Sequence, residues 1–152
     1  MKRPALLDVN VLVALFNPAH VHHELAHDWF ADHDADGWAT CPLTENGFVR
    51  VLSGPASGVP GLRAAELLER LQRFCASEHH VFWPGAVSLL DSTLFNPGLV
   101  SGHRQVTDIY LLGLATRMKG TLATFDRMIP LGAVVGATRA ELSVIAATRD
   151  DA

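Results

Sequence analysis

Eleven consecutive positions near the start of the chain, Leu6 to Phe16, are apolar except for Asp8 and Asn10. The pattern changes period inside this run. Ala5 to Val9 is short and aliphatic with a proline just upstream, which predicts a buried strand. Leu12, Leu15 and Phe16 then fall at helical spacing, so strand passes to helix near Asn10. After the break at Asn17-Pro18, Val21, Leu25, Ala26, Trp29 and Phe30 make one side of a helix from His20 to Asp34. Trp38 to Cys41 predicts a second strand. A helix from Pro42 to Leu52 follows, with Pro42 in its first turn, where the missing N–H costs nothing. Ser53 to Gly61 is a loop, Leu62 to Ala76 a helix, and Val81 to Trp83 a third strand stopped by Pro84-Gly85. A helix over Val87 to Phe95 and a loop over Asn96 to Arg104 come next. Gln105 to Lys119 is apolar nearly all round, a buried helix ended by Gly120. Leu122 to Thr124 is the fourth strand, Val134-Val135 a last short one, and Thr138 to Ala147 a terminal helix. Strands alternating with helices predict an α/β fold, a parallel sheet of four to five strands with helices on both faces.

Composition narrows this without changing it. With 152 residues, 49% hydrophobic and 18% charged, the chain reads as one globular domain over residues 1–147, with residues 148–152 a frayed tail. The first apolar run is too short to span a bilayer and carries Asp8 and Asn10, so no membrane segment or signal peptide is expected, which favours the cytoplasm. Cys41 and Cys75 form no metal-binding spacing and read as two buried thiols rather than a disulfide. A net charge of −4 argues against general polyanion binding, but not against a nucleic-acid enzyme whose carboxylates sit on metal. Ten of the twelve basic residues are arginine, which suits specific phosphate contacts better than a diffuse positive field.

The candidate chemistry lies in the acids. Asp8 leaves the C-terminal end of the first strand, the edge where open α/β sheets place ligands. A charge there is costly unless paired, hydrated or bound to a cation. Asp126 has the same address after the fourth strand. Asp108 enters a buried helix in its first turn. Glu45 lies in the first turn of the helix after the second strand, and spacing leaves two readings even: an acid favoured by the helix dipole, or a second carboxylate facing Asp8. Asp91 reads as a surface acid. Four carboxylates at one edge would repel and raise one another's pKa values. Mg²⁺ or Mn²⁺ resolves this, being a hard cation that takes carboxylate and water oxygens and serves in-line phosphoryl displacement. His20, His23 and His27 share a helix face and invite a zinc reading, but nothing completes a tetrahedral set at known spacing. A polar face near a cleft or partner surface is the plainer expectation.

Leu7-Asp8-Val9-Asn10-Val11-Leu12, Thr44-Glu45, Val106-Thr107-Asp108 and Ala123-Thr124-Phe125-Asp126 resemble the four acidic motifs of the PIN-domain ribonucleases, in order and across nearly the whole chain. More narrowly, the chain resembles the VapC-type toxins of bacterial toxin–antitoxin pairs. His20-Val21-His22-His23 and Trp29 are similar to an actinobacterial branch of that family. The resemblance implies a three-layer α/β/α fold and metal-dependent endonucleolytic cleavage of RNA, either tRNA or a ribosomal RNA loop. It implies Asp8, Glu45, Asp108 and Asp126 as the metal-binding catalytic set. Thr124 would orient Asp126 or a bound water, with Asn10 a neighbouring polar group. It also implies a homodimer held inactive by a VapB-type antitoxin. Arg127, Arg104 and Arg50 are the basic residues nearest the motifs, as apt for phosphate as for surface ion pairs.

Other classes fit less well. A receiver-like module needs a paired acid at the first strand and a lysine at the end of a later one, and neither Lys2 nor Lys119 ends a strand. A haloacid-dehalogenase-type phosphatase wants Asp-x-Asp where Asn10 holds the second place. No P-loop or G-x-S-x-G elbow occurs. A PIN module that binds RNA or protein without cutting is the remaining alternative, and the four filled acidic positions argue against it.

Overall fold

The computed structural model describes residues 3–57 and 61–147; the expected tail at 148–152 lies outside them. Ala5–Leu7 forms β1, Val9–Phe16 α1, His23–His33 α2, Trp38–Thr40 β2 and Pro42–Ser53 α3. Ala64–Phe74 forms α4, His80–Phe82 β3, Val106–Arg117 α5, Thr121–Thr124 β4 and Leu142–Val144 β5. The five strands make one parallel sheet in the order β3-β2-β1-β4-β5.

Side chains alternate across a strand, and β1 divides the core accordingly. Ala5 and Leu7 pack with Val11, Leu12, Leu15, Phe48, Leu52, Leu67 and Leu71 of α1, α3 and α4. Leu6 points the other way, with Ala39 and Leu122, onto Ile109, Leu111, Leu112 and Leu114 of α5. Helices therefore cover both faces, giving three layers. Apolar cover on both sides is why β1 reads as an unbroken aliphatic run, as parallel strands do. Both cysteines are free, Cys41 buried and Cys75 half-buried.

Four expectations are corrected. Val87 to Phe95 is no helix but a series of turns. Asp91 accepts hydrogen bonds from the backbone N–H and hydroxyl of Thr93, the local bonding with which Asp competes against helix. Leu90 is 93% exposed. Phe95 is held from outside the segment, through an antiparallel bridge to Val134. Its ring lies against Gly113 of α5, where a Cβ would come within 2.3 Å of it. Val134-Val135 accordingly contributes that single bridge and not a strand. Thr138 to Ala147 is no helix either. A capping box between Thr138 and Glu141 closes a single 3₁₀ turn, and Leu142–Val144 then pairs with β4. The last strand is thus β5. Finally, Lys119, with φ of 59°, takes the left-handed position that ends α5. Gly120 is needed for space: a Cβ there would lie 2.5 Å from the Pro4 carbonyl and from the Trp83 ring.

The helix expected from His20 begins at His23. His20 to His22 form the turn that leads into it, which alters the reading of the histidines.

Candidate active site

Asp8 sits between the last residue of β1 and the first of α1. Its side chain does not cap α1. Instead its Oδ2 accepts a 2.8 Å hydrogen bond from the Thr124 hydroxyl, at the end of the adjacent strand β4. The same Thr124 oxygen accepts the backbone N–H of Asp126 at 3.1 Å. Thr124 is fully buried, so one hydroxyl fixes the Asp8 carboxylate and the turn carrying Asp126. Asp126 Oδ1 in turn accepts the Met128 N–H. Asp108 reaches the same place from the first turn of α5.

These acids line one cavity of about 390 Å³ together with Asn10, His20, Val21, His22, Thr124 and Phe125. Among the described residues no lysine or arginine lines it. Burial raises the pKa of Asp8, which is 5% exposed; the Thr124 hydroxyl and the Val9 N–H oppose the rise, and the Asp126 charge adds to it. Asp108 is pushed up to about 7, first by burial and then by the charges of Asp8 and Asp126. Carboxylates whose like charges add to the cost of burial form a site whose chemistry suits a cation.

The donor set fits a hard divalent ion. Among the described residues no three His, Cys, Asp or Glu side chains form a complete ligand group. One or two carboxylates, with water and substrate oxygens, are the usual protein share for Mg²⁺.

Glu45 is not among the residues that line this cavity. Its Oε2 accepts the Thr40 hydroxyl at 2.9 Å, and Thr40 Oγ1 also lies 2.8 Å from His80 Nε2. Glu45 lines a separate cavity of about 560 Å³ with Leu68, Leu71, Gln72, Cys75 and Ala76. Burial pushes the Cys75 thiol there up to about 11. Burial also lowers His80, against the opposing charge of Glu45 and a hydrogen bond to the Cys75 backbone. Arg50, Arg104 and Arg127 are exposed, and none lines the cavity of Asp8. Asp91 is a surface acid facing Arg117 at 3.5 Å.

The histidines divide into two groups. His23 Nδ1 lies 2.6 Å from the Ala14 carbonyl, and His27 Nε2 lies 2.8 Å from that of Leu15. Both rings therefore donate to carbonyls of the last turn of α1, which lack partners within the helix. That use takes the place of the zinc reading. His20 and His22 instead form the wall of the acid cavity with Phe125, at ring-centroid separations of 6.2 and 4.7 Å. Burial, then the neighbouring His22 and His23, lower the pKa of His20. No aromatic platform is evident from the sequence, because Phe125 and the histidines lie about a hundred positions apart. Their common signal is that Phe125 sits between two motif residues.

A sequence model of the PIN domain matches residues 5–132. The chain belongs to the PIN domain family. Within it, this PIN domain is similar to Ribonuclease VapC44 of Mycobacterium tuberculosis, with 44% identity over 141 residues, 93% of this chain and 99% of the relative. It is 42% identical to Ribonuclease VapC39 of the same organism over 132 residues, 87% of this chain and 95% of the relative. Ribonuclease VapC38 is 45% identical over 122 residues, 80% and 84% of the two chains. The expected family resemblance and the three-layer parallel fold therefore stand.

Proposed function

We propose that this PIN domain is a divalent-metal-dependent endoribonuclease, the toxin half of a VapC-type toxin–antitoxin pair. The observation that carries the reading is the convergence of Asp8, Asp108 and Asp126 on one cavity at the carboxyl edge of the sheet. The VapC ribonucleases, similar over most of the chain, support it. They also weigh against a PIN module that only binds.

Asp8 and Asp108 are the carboxylates proposed to hold the ion, Mg²⁺ or Mn²⁺, with Asp126 beside them. When bound, such an ion supplies an activated water and neutralises charge on the phosphoryl group during in-line displacement. Thr124 keeps Asp8 turned into the cavity by donating to one of its carboxylate oxygens. Asn10, on the cavity wall, offers a neutral amide to water or to the ribose. Arg127, Arg104 and Arg50 are proposed to meet phosphates farther along the strand, outside the cavity. Glu45, expected with the acid set, enters as a question for experiment: bonded to Thr40, it braces the turn from β2 into α3.

The substrate is RNA, with a tRNA or ribosomal RNA loop the expected form. The protein is proposed to work in the cytoplasm as a homodimer until a VapB-type antitoxin covers the cavity. Among the described residues no helix is long and apolar enough to cross a membrane.

The test is cleavage of total bacterial RNA by the purified protein with Mg²⁺ or Mn²⁺ and with EDTA, followed by end mapping. Discrete cuts are expected with metal only. Asp8→Asn keeps the volume and removes the charge, and is expected to lower the rate on the order of a hundred- to a thousandfold. Wild-type cutting by that variant would remove Asp8 from the mechanism.

A further inference from the structure

The acid cavity has a second wall whose chemistry differs from that of the carboxylates. Phe125, His20 and His22 are three half-buried rings in mutual contact. The planes of Phe125 and His20 lie within 25° of each other. Four other phenylalanines behave differently. Phe16, Phe30, Phe48 and Phe74 pack edge-on or tilted against one another and against Trp38, inside the core on one face of the sheet. Phe125 only touches that core and also lines the open cavity.

The rings are held in place. Phe125 lies between Thr124 and Asp126, whose hydroxyl-to-amide bond sets the turn, so the phenyl ring keeps a fixed offset from the acids. His20 Nδ1 accepts the backbone N–H of His22 at 3.0 Å, and the His20 N–H donates to the Asn17 carbonyl. The Nδ1 of His20 is therefore the unprotonated nitrogen, and the ring cannot swing freely.

Among the described residues no lysine or arginine lines the cavity, so a nucleotide entering it finds no ion pair with either there. The half-buried rings of its wall supply the missing attraction. A base in single-stranded RNA seeks such a face, and stacking tolerates any sequence because every base has a π-surface. A strand held only through its phosphate could swivel about the metal; a stacked base would fix which bond is presented.

We propose that Phe125, with His20 and His22, forms a stacking subsite for an unpaired nucleobase of the RNA strand whose phosphate meets the acids. The assignment rests on the ribonuclease reading and deepens it. The competing account is that the three rings merely bury one another and pin the turn before α2.

The experiment measures binding and cutting separately, on the full chain. Binding of a short, unstructured, fluorescein-labelled RNA is followed by anisotropy with Mg²⁺ in the Asp8→Asn background, so that the probe survives. Adding Phe125→Leu, which keeps apolar volume without a π-face, or His22→Ala in the turn, is expected to weaken binding about tenfold. Phe125→Trp should restore it, and the same backbone made of abasic residues should bind all variants equally weakly. Unchanged affinity in a folded His22→Ala or Phe125→Leu protein, or failure of Phe125→Trp to restore binding, would overturn the subsite. Cutting of total RNA by protein with Asp8 intact is scored apart. Cutting that persists while Phe125→Leu leaves binding unchanged sinks the subsite alone. Phe125-dependent binding in a protein that cuts no RNA sinks the nuclease reading alone.

Discussion

Asp8 follows β1, and Glu45 lies in the first turn of the helix that follows β2, so the two acids leave neighbouring strands at the same edge of the sheet. Glu45 finds a hydroxyl, with an imidazole beyond it, in a cavity otherwise lined mainly by α4. Asp8 also finds a hydroxyl, but beyond it lie two further carboxylates and, among the described residues, no lysine or arginine in the cavity lining. Equal position in the topology thus produces one acid that is satisfied locally and one that is left with like charge for company. Topology brings an acid to the edge; the next layer of neighbours decides whether it serves structure or chemistry.

That contrast can be broken most forcefully at Thr124. Thr124→Val keeps shape and removes the donor that holds Asp8. Cleavage is expected to fall about ten- to a hundredfold, as when a group orienting a metal ligand is lost. Stability should fall by about 1–3 kcal/mol from the carboxylate left without its partner. Thr124→Ser should restore both, and a Val variant that cuts and melts like wild type would show that the hydroxyl holds nothing.

A smaller effect follows from the raised pKa of Asp108. A carboxyl whose folded-state pKa lies at about 7 against 3.8 for the free group binds its proton more tightly in the native state. Its contribution is complete below the unfolded value and is lost as pH rises through 7. His20 and His80, lowered by burial, act in the opposite sense near their ordinary range, so the difference from a variant is the quantity to read. In chelator, the melting temperature of Asp108→Asn relative to wild type should climb between pH 5 and 8. A flat difference would mean that neither burial nor the neighbouring carboxylates hold the Asp108 proton.

The smallest change is expected at Glu45. Glu45→Gln can still accept the Thr40 hydroxyl, so cleavage should stay within about threefold of wild type, in the range of an ordinary surface or bracing change. A loss as large as that of Asp8→Asn would place Glu45 on the reaction and erase the contrast between the two cavities.

The parts of the fold that were legible in sequence are those whose neighbours are close in kind. β1, β4 and α5 are covered by apolar groups on every side, so their sequences state their environment directly, and the acids Asp8, Asp108 and Asp126 stand out at their ends. The segments misread are those decided by distant partners. Phe95 is fixed by Gly113 and Val134, and Leu142–Val144 by pairing with β4. Periodicity in a short window carries none of that information. The same limit explains the histidines. Their spacing predicts a shared face, but the carbonyls that occupy His23 and His27 belong to another helix. Glu45 reads two ways for a related reason: nothing near it in sequence says that the Thr40 hydroxyl will bond its carboxylate.

The bond between Thr124 and Asp8 joins positions 116 residues apart, and it has a consequence in time. β4, though fourth in sequence, docks directly beside β1, the first strand made. During synthesis the first acid emerges long before the hydroxyl that aims it, and the acid on α5 and the one after β4 follow late. A nascent chain can complete much of the layer on one side of the sheet while the slot beside β1 stays empty. The cavity comes into being only when that slot is filled, so a growing polypeptide carries the pieces of the site without the site.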